Sequence, residues 1–493
     1  MSKVYLVGAG PGDPELITAK GRRVIEEADA ILYDNLAPRE LLELAPEGAE
    51  RVCVGKQQSD HTFSQEIISA MLIARAREGK TVVRLKGGDP YLFGRGGEEA
   101  EALAEAGIPF EVVPGVASPM AIAAYCGVPL THRDHTAMVT FVTGHEIDRI
   151  DWAAAAAAET LVVFMGLTKF GEIADRLIRG GKPAATPALA VRWASRPDQR
   201  TITGTLGDLR EKLAGAGLRP PVTFVIGEVA RLREKLGWFE KLPLFGRRVV
   251  VTRARSQASR LTARLRALGA DVAELPAIEI RPAADYGPLD EAIGRLESHD
   301  WLIFTSVNGV EHFLRRLDQS GRDLRDLRAR ICVIGPATAK AVEALHLKVD
   351  LTPREYVAES LLEAFAPFDL AGQRVLLPRA KVARDLVPEE LRKRGARVDV
   401  VAAYETVLPE GAAARAGEVF ARPVDWVLFT SSSTVRNCVE AAGRERLAGA
   451  KVASIGPVTS DTARELGLEV TVEASPYTID GLVAAVLAWE QGR

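Results

Sequence analysis

Cysteine is scarce. The four that occur, at positions 53, 126, 332 and 438 of 493, stand too far apart for any Cys-x-x-Cys pair. That spacing argues against a zinc or dithiol redox motif and fits a reducing compartment. Long apolar runs are missing too: no stretch approaches the ~18 residues that a spanning helix needs. Met1-Ser2-Lys3 leads straight into the short segment VYLVGAG, with no signal-peptide core. A soluble, cytoplasmic protein without membrane partners is expected. Neither sign of charge is in excess, since Lys+Arg 63 against Asp+Glu 66 leaves −3. Without a global basic field there is nothing to hold nucleic acid, and an anionic ligand has to be met by local groups. His132 and His135 are three residues apart in THRDHT, but no third ligand stands at conventional spacing, so no metal is expected.

What is present is ordinary globular material, 47% hydrophobic and 26% charged, in a chain too long for one core, which stops growing near ~250–300 residues. The recurring unit is a short β-rich run, a glycine turn and an amphipathic helix. VYLVGAG (4–10), TVVRLKGGD (81–89), FEVVPG (110–115), TLVVFMG (160–166) and TFVIGE (223–228) read as buried strands ending in glycine. Thr62 and Gln65 have capping-box spacing before a helix that Gly79 can stop. Alanines 153–158 continue a helix after Trp152. The alternation predicts an α/β architecture with largely parallel sheets. GWFEKLPLFGRR (237–248) reads as a linker, giving domains 1–243 and 244–493, the first split again near 115–135.

Beyond the linker the sequence repeats itself. RRVVVTRA (247–254) returns as QRVLLPRA (373–380), DWLIFTSVNGV (300–310) as DWVLFTSSSTV (425–435), and VIGPATAKAVEALHLKV (333–349) as SIGPVTSDTARELGLEV (454–470). Three blocks in one order at nearly one period indicate two homologous α/β modules. Ser256 is placed to cap the first helix. The FTS turns (304–306, 429–431) and IGP turns (334–336, 455–457) follow strands and precede helices, where backbone N–H groups can meet anions; the alternative is tight turns with Ser/Thr caps.

In the first part, GAGPGD (8–13) is a Gly-rich strand-to-helix turn without the dinucleotide spacing. RLKGGDPYLFGRGGEE (84–99) is a shaped loop after a strand, where open α/β sheets bind ligands. Asp89 offers a carboxylate to a ligand or an Asx-turn before Pro90. These segments, with YDNL (33–36), VGK (54–56), VVPGVASPMAIAAYCGVPLTHRD (112–134) and TGH (143–145), resemble uroporphyrinogen-III C-methyltransferase of the tetrapyrrole methyltransferases. The resemblance covers residues 1–240. It implies two α/β subdomains with S-adenosylmethionine (SAM) between them, methylation of uroporphyrinogen III on two pyrrole rings to give precorrin-2, and a homodimer formed through this half. Cofactor contacts then fall on Pro11, Gly87, Gly88, Asp89, Leu92, Ala117, Ser118, Met165 and Ala194. Asp34 matches the family's proton acceptor and Lys56 its proton donor. Ala117-Ser118 replaces the usual Thr-Ala pair, which moves the hydroxyl by one position, and Ala194 replaces a glycine. Read without the family, Asp34 is a turn residue after AILY.

The repeat region, about 246–493, is similar to uroporphyrinogen-III synthase in its FTS and IGP turns, AAYETV (402–407) and SPYTIDGLVAAV (475–486). The resemblance implies two flavodoxin-like α/β modules joined by a β ladder: one from 246–277 with 408–493, the other 280–405, crossing at AELPAIEIRP (273–282) and VVAAYETVLP (400–409). It implies closure of hydroxymethylbilane to uroporphyrinogen III with inversion of the last ring. Substrate contacts are expected from Thr305, Ser306, Asn308, Gly335, Thr338, Ser431, Ser432 and Thr459, with Arg253, Arg379 and Lys381 as counter-charges. Tyr404 is expected to assist hydroxyl departure, or else to pack in the ladder. Two other readings are a first half that methylates a later corrinoid, and a repeat that binds tetrapyrrole without catalysis.

Overall fold

The structure is a computed structural model that describes residues 3–55 and 63–492, with side chains described throughout except at 255–259. The chain divides into two compact units, Met1–Gly246 and Arg247–Arg493.

The first unit holds two five-stranded sheets. Strands β1 (Val4–Gly8), β2 (Ala30–Tyr33), β3 (Glu50–Cys53), β4 (Val82–Lys86) and β5 (Phe110–Val113) lie in the order β3-β2-β4-β1-β5, every pair parallel. This order sets the loops after β1, β4 and β5 side by side at the carboxyl edge, where such sheets take ligands. The helix Gln65–Arg77 starts from Ser64, whose hydroxyl accepts the Ile67 N–H at 3.4 Å. The cap is therefore Ser64; Thr62 lies outside the described residues.

The second sheet contains β6 (Val139–Thr143), β7 (Thr160–Phe164), β8 (Pro187–Arg192), β9 (Arg200–Thr205) and β10 (Val222–Ile226), in the order β6-β7-β10-β8-β9. Only β6–β7 is parallel, and the other three pairs are antiparallel. The expectation of largely parallel sheets fails here because the connection 193–199 is too short for a crossover helix, which leaves a hairpin. The stacked rings of Phe170 and Phe224, 4.3 Å apart, sit in the core between this sheet and its helices. The alanine-rich helix Trp152–Ala157 is fixed by Asp151, whose Oδ1 accepts the N–H groups of Ala153 and Ala154.

The segment read as a linker is packed structure for most of its length. Phe239 and Leu244 are buried, and Trp238 Nε1 donates to the Ala124 carbonyl at 2.8 Å. Glu240 accepts from Gln199, Thr201 and Arg233 at 2.6–2.7 Å. Its aromatic residues cover the first unit, so the boundary falls after Gly246.

The second unit also contains two five-stranded sheets. One is β12 (Asp271–Glu274), β11 (Arg248–Val251), β18 (Trp426–Phe429), β19 (Lys451–Ser454) and β20 (Val470–Glu473), in that order and all parallel. The other is β13 (Glu279–Pro282), β17 (Arg397–Val407), β16 (Arg374–Ala380), β14 (Trp301–Phe304) and β15 (Arg330–Val333). The sequence repeats map β11 onto β16, β18 onto β14 and β19 onto β15, so the sheets share one strand order. Each sheet nevertheless mixes the copies: the first takes β11 and β12 from copy one and β18, β19 and β20 from copy two, and the second takes β16 and β17 from copy two and β13, β14 and β15 from copy one. The chain leaves the first sheet after β12 and returns after β17. There β13 runs antiparallel to the end of β17, pairing Glu279 with Val407 and Pro282 with Tyr404. The helix Arg255–Ala267 takes Ala254 as its N-cap residue, and Ser256, read as the cap, has its side chain outside the described ones.

Candidate functional site

In the first unit, three turns meet at the carboxyl edge of β1, β4 and β5. A Cβ on Gly8 would stand 2.6 Å from the Gly115 Cα and the Gly88 carbonyl, and one on Gly115 2.4 Å from that same carbonyl. Only glycines allow this approach. Gly10 and Gly88 exchange hydrogen bonds, at 2.7 Å from Gly88 N–H and 3.3 Å from Gly10 N–H. Gly88 has φ +70°, and its missing side chain would face only Ala117 and Ser118, 3.9 Å away. That leaves room beside the first turn of helix Ser118–Cys126, so Gly87, Gly88, Ala117 and Ser118 come together. Asp89 serves the loop itself: Oδ1 accepts from Tyr91 N–H at 2.8 Å and Oδ2 from Gly115 N–H at 3.1 Å.

The other expected contacts arrive from the second sheet. The Phe93 ring, next to Leu92, lies 4.9 Å from that of Phe164, which precedes the exposed Met165. Gly12, next to Pro11, leaves only 2.5 Å between a Cβ and the Arg196 Cγ, and Asp13 N–H donates to Ser195 Oγ at 3.0 Å. This brings the β1 turn against the turn that carries the buried Ala194. Five residues of these loops, Phe93, Arg95, Met165, Trp193 and Ser195, hold a left-handed φ of 52–71° without being glycine. Such conformations cost about 1–3 kcal/mol each and persist where surrounding structure fixes a functional shape.

Asp34 follows β2 and accepts a 2.6 Å hydrogen bond from Arg84, a nearly fully buried arginine on β4. Arg84 also meets Glu99 at 3.0 Å, and Lys86 meets the same oxygen at 3.1 Å. Gln65 donates to that oxygen as well, at 3.0 Å. Glu99 is wholly buried and its other oxygen has no partner among the described residues. Burial, and then the charge of Arg84, pulls the Lys86 pKa below the ordinary lysine range. Arg84, Lys86 and Glu99 escaped the sequence reading, although a signal exists. Two basic residues alternate along a strand of otherwise apolar residues and so share one face, and an acidic pair follows on the next helix. Lys56 lies outside the described residues.

In the second unit the paired turns are built alike. Ser306 Oγ accepts from Gly309 N–H at 3.1 Å, capping helix Val307–Gln319. Ser431 Oγ accepts from Thr434 N–H at 3.2 Å, capping helix Ser432–Ala442. Gly335 and Gly456 are N-caps before a proline, opening helices Pro336–Glu343 and Pro457–Glu465. Thr338 and Thr459 are buried on the first turns of those helices. Ser432 donates to the Val458 carbonyl and accepts from Thr462, which joins the FTS and IGP turns of its module. Tyr404 OH is 3.0 Å from Ser306 Oγ. Burial raises its pKa, against hydrogen bonds to Ser306 and Asn308 that lower it. Its ring lies 5.5 Å from that of His312. Tyr404 is thus both a ladder residue and a member of the FTS turn. Thr305 is half-buried. Arg379 is held by the Arg384 carbonyl and Asp385, and Lys381 by Glu405 at 3.0 Å, so both are tied within their module. Burial lowers the pKa of Arg253. A surface cavity of about 630 Å³, lined by Thr203, Lys212, Arg233 and Glu240 among others, includes none of the expected site residues.

Residues 3–210 match the family model of tetrapyrrole (corrin/porphyrin) methylases, and residues 259–484 match that of uroporphyrinogen-III synthase HemD. The porphyrin biosynthesis protein HemD of Ruminiclostridium josui is 35% identical over 491 residues, covering 98% of this chain and 97% of that protein. The chain belongs to the HemD porphyrin biosynthesis family. A methylase domain and a synthase domain, both enzymatic, are fused in this one chain. The siroheme synthase of Azotobacter vinelandii is 49% identical over 244 residues, 49% of this chain and 53% of that protein, so the chain spans about half the length of the siroheme synthase it matches. Among solved structures, uroporphyrin-III C-methyltransferase from Thermus thermophilus in complex with S-adenosyl homocysteine is 43% identical, covering 47% of this chain and 100% of that one, with a TM-score of 0.42. No helix of the described residues is long and apolar enough to cross a membrane.

Proposed function

We propose that the second unit closes hydroxymethylbilane into uroporphyrinogen III, inverting the last pyrrole, and that the first unit methylates this product twice to precorrin-2 with SAM as donor. The observation that carries the reading is the pairing within one chain of two units whose reactions are consecutive.

For the first unit, the turns around Gly88 suit a bound SAM: the side left open by the absent Cβ of Gly88 faces Ala117 and Ser118, and Pro11, Gly87, Asp89, Leu92, Met165 and Ala194 stand on the loops that join it. SAM supplies a methyl group already activated by the sulfonium. The electron-rich pyrrole is its own nucleophile, so the protein's main task is to hold ring carbon and methyl in line. As the C–CH₃ bond forms, the ring has to lose a proton, and Asp34 is assigned to accept it. Arg84 fixes that carboxylate at 2.6 Å from a rigid, buried position. Lys56 is assigned as proton donor by resemblance alone.

For the second unit, the C–O bond of the hydroxymethyl group breaks and water leaves, and the resulting cation attacks the substituted end of the chain. Tyr404, kept protonated by burial, can give its proton to the departing hydroxyl. The N-cap turns at Thr305–Ser306, Gly335–Thr338, Ser431–Ser432 and Gly456–Thr459 present hydroxyls and backbone N–H groups to substrate carboxylates, and Asn308 stands on the first of them. Distributed contacts of this kind fold the linear substrate and hold charge without one strong acid. The test supplies each substrate separately. Hydroxymethylbilane without SAM should give the rearranged ring, and uroporphyrinogen III with SAM should gain two methyl groups. An unrearranged ring, or one methyl group on a different corrinoid, would overturn the corresponding half.

A further inference from the structure

The internal duplication is a record of which side chains both copies of the synthase module kept. Among the polar residues kept, most have an evident structural task. Asp300 and Asp425 each accept the N–H of the strand alongside, Arg374 at 2.7 Å and Arg248 at 2.8 Å. Ser306 and Ser431 cap helices. A further pair falls outside the three repeat blocks. Tyr356 in REYVAESLLEAF and Tyr477 in SPYTIDGLVAAV are 121 positions apart, the same offset as the IGP turns, with no gap between. Leu361 and Leu482, at the same offset, are fully buried and anchor the helices that follow.

Both tyrosines reach the same place. A Cβ on Gly335 would lie 3.8 Å from the Tyr356 Cβ and Cγ, and one on Gly456 only 3.2 Å from the Tyr477 ring. The N-cap glycines have extended backbones that any residue can adopt, at φ −150° and 167°. What glycine provides at these turns is room for the ring, and at Gly456 any larger residue would push it away. Each tyrosine is half-buried, its ring against the turn, and its phenol makes no hydrogen bond among the described residues. Thr338 and Thr459, again at offset 121, are 5% and 4% exposed on the first helical turn beyond those glycines, and their hydroxyls are likewise unpaired among the described residues. Packing explains why a ring was kept. It does not explain a phenol oxygen kept in both modules on a ring that lies against the N-cap glycine of a helix whose first turn carries a buried, unpaired hydroxyl.

We propose that Tyr356 and Tyr477 are a matched pair of substrate-binding residues, each donating its phenol O–H to a carboxylate of the linear tetrapyrrole beside Thr338 and Thr459. The proposal rests on the synthase reading above. By holding both ends of the substrate in equivalent grips, the pair favours closure with inversion over direct closure.

The test compares full-length Tyr356→Phe, Tyr477→Phe and the double variant with the parent chain. Phenylalanine keeps the ring, so melting temperatures should match. With hydroxymethylbilane, each single variant should raise KM about tenfold, as expected for a lost hydrogen bond to a charged group, and the double variant should yield a larger share of the unrearranged ring. Equilibrium binding of uroporphyrinogen III should weaken in parallel. Variants equal to the parent in KM, product ratio and binding overturn the proposal and leave the synthase reading intact. A parent chain that binds uroporphyrinogen III but closes no ring overturns the synthase reading, and weaker binding by the variants would then still support the tyrosine pair. No binding by the parent overturns both.

Discussion

The two units solve the problem of holding a polyanionic tetrapyrrole with opposite materials. The first concentrates charge and strain. Arg84, Lys86 and Glu99 are sealed inside it, and it contains five of the six described non-glycine residues with left-handed φ. The second spreads neutral donors over relaxed, repeated turns, with a serine cap or an N-cap glycine at each. The contrast follows the chemistry. In the proposed reactions, each methyl transfer involves one ring carbon and one carboxylate to accept its proton, whereas ring closure moves a long substrate and calls for many moderate contacts. A buried ion network fixes a single geometry at a cost in desolvation; duplicated caps supply repeated grips at little cost.

The largest expected effect falls on Asp34, the proposed proton acceptor. Asp34→Asn should lower the rate of methylation about 10²–10⁴-fold, the range for losing a general acid–base residue, while ring closure by the same protein is unchanged. Should ring closure fall equally, the units are not chemically separate. Next comes the buried network. Glu99→Ala leaves Arg84 and Lys86 buried without their shared carboxylate, and should destabilise the first unit by about 3–5 kcal/mol in urea unfolding; a loss below 1 kcal/mol would mean that water reaches the network. A third effect is ligand linkage. SAM at a hundredfold excess over Kd should stabilise the unit that binds it by about 2.7 kcal/mol, so calorimetry should show one transition rising and the other fixed. Asp89→Ala should weaken this shift and Asp34→Asn should preserve it. The smallest effect tests the repeated caps. Ser431→Ala should cost about 1 kcal/mol, and Ser306→Ala somewhat more, because Ser306 Oγ also meets Tyr404 at 3.0 Å.

The sequence made the strands, the turns and the duplication legible, because identical blocks at one offset survive divergence. The crossings at 273–282 and 400–409 were legible through the resemblance to the synthase family. The swap of copies between the two sheets came from the resemblance, which implied a module of 246–277 with 408–493, and not from spacing, which shows that segments repeat and not which of them pair. The three antiparallel pairs of the second sheet were hidden by the same limit. Arg84, Lys86 and Glu99 were overlooked because charges in a sequence read as solvated, and their burial depends on tertiary packing around Asp34. The linker reading failed at Phe239 and Leu244, apolar residues that cover the first unit. Tyr356 and Tyr477 were missed because only the tyrosine and scattered apolar positions around it are shared, too little to mark a block.

Product analysis over time tests most directly the central claim, that one chain carries out two consecutive reactions at separate sites. The intact protein is given hydroxymethylbilane together with methyl-labelled SAM, and the tetrapyrroles are separated at intervals. Uroporphyrinogen III should appear first and a doubly labelled ring should follow, while the Asp34→Asn protein should accumulate unlabelled uroporphyrinogen III at the parental rate. A label appearing on a linear tetrapyrrole, or an Asp34→Asn protein that no longer makes the rearranged ring, would contradict it.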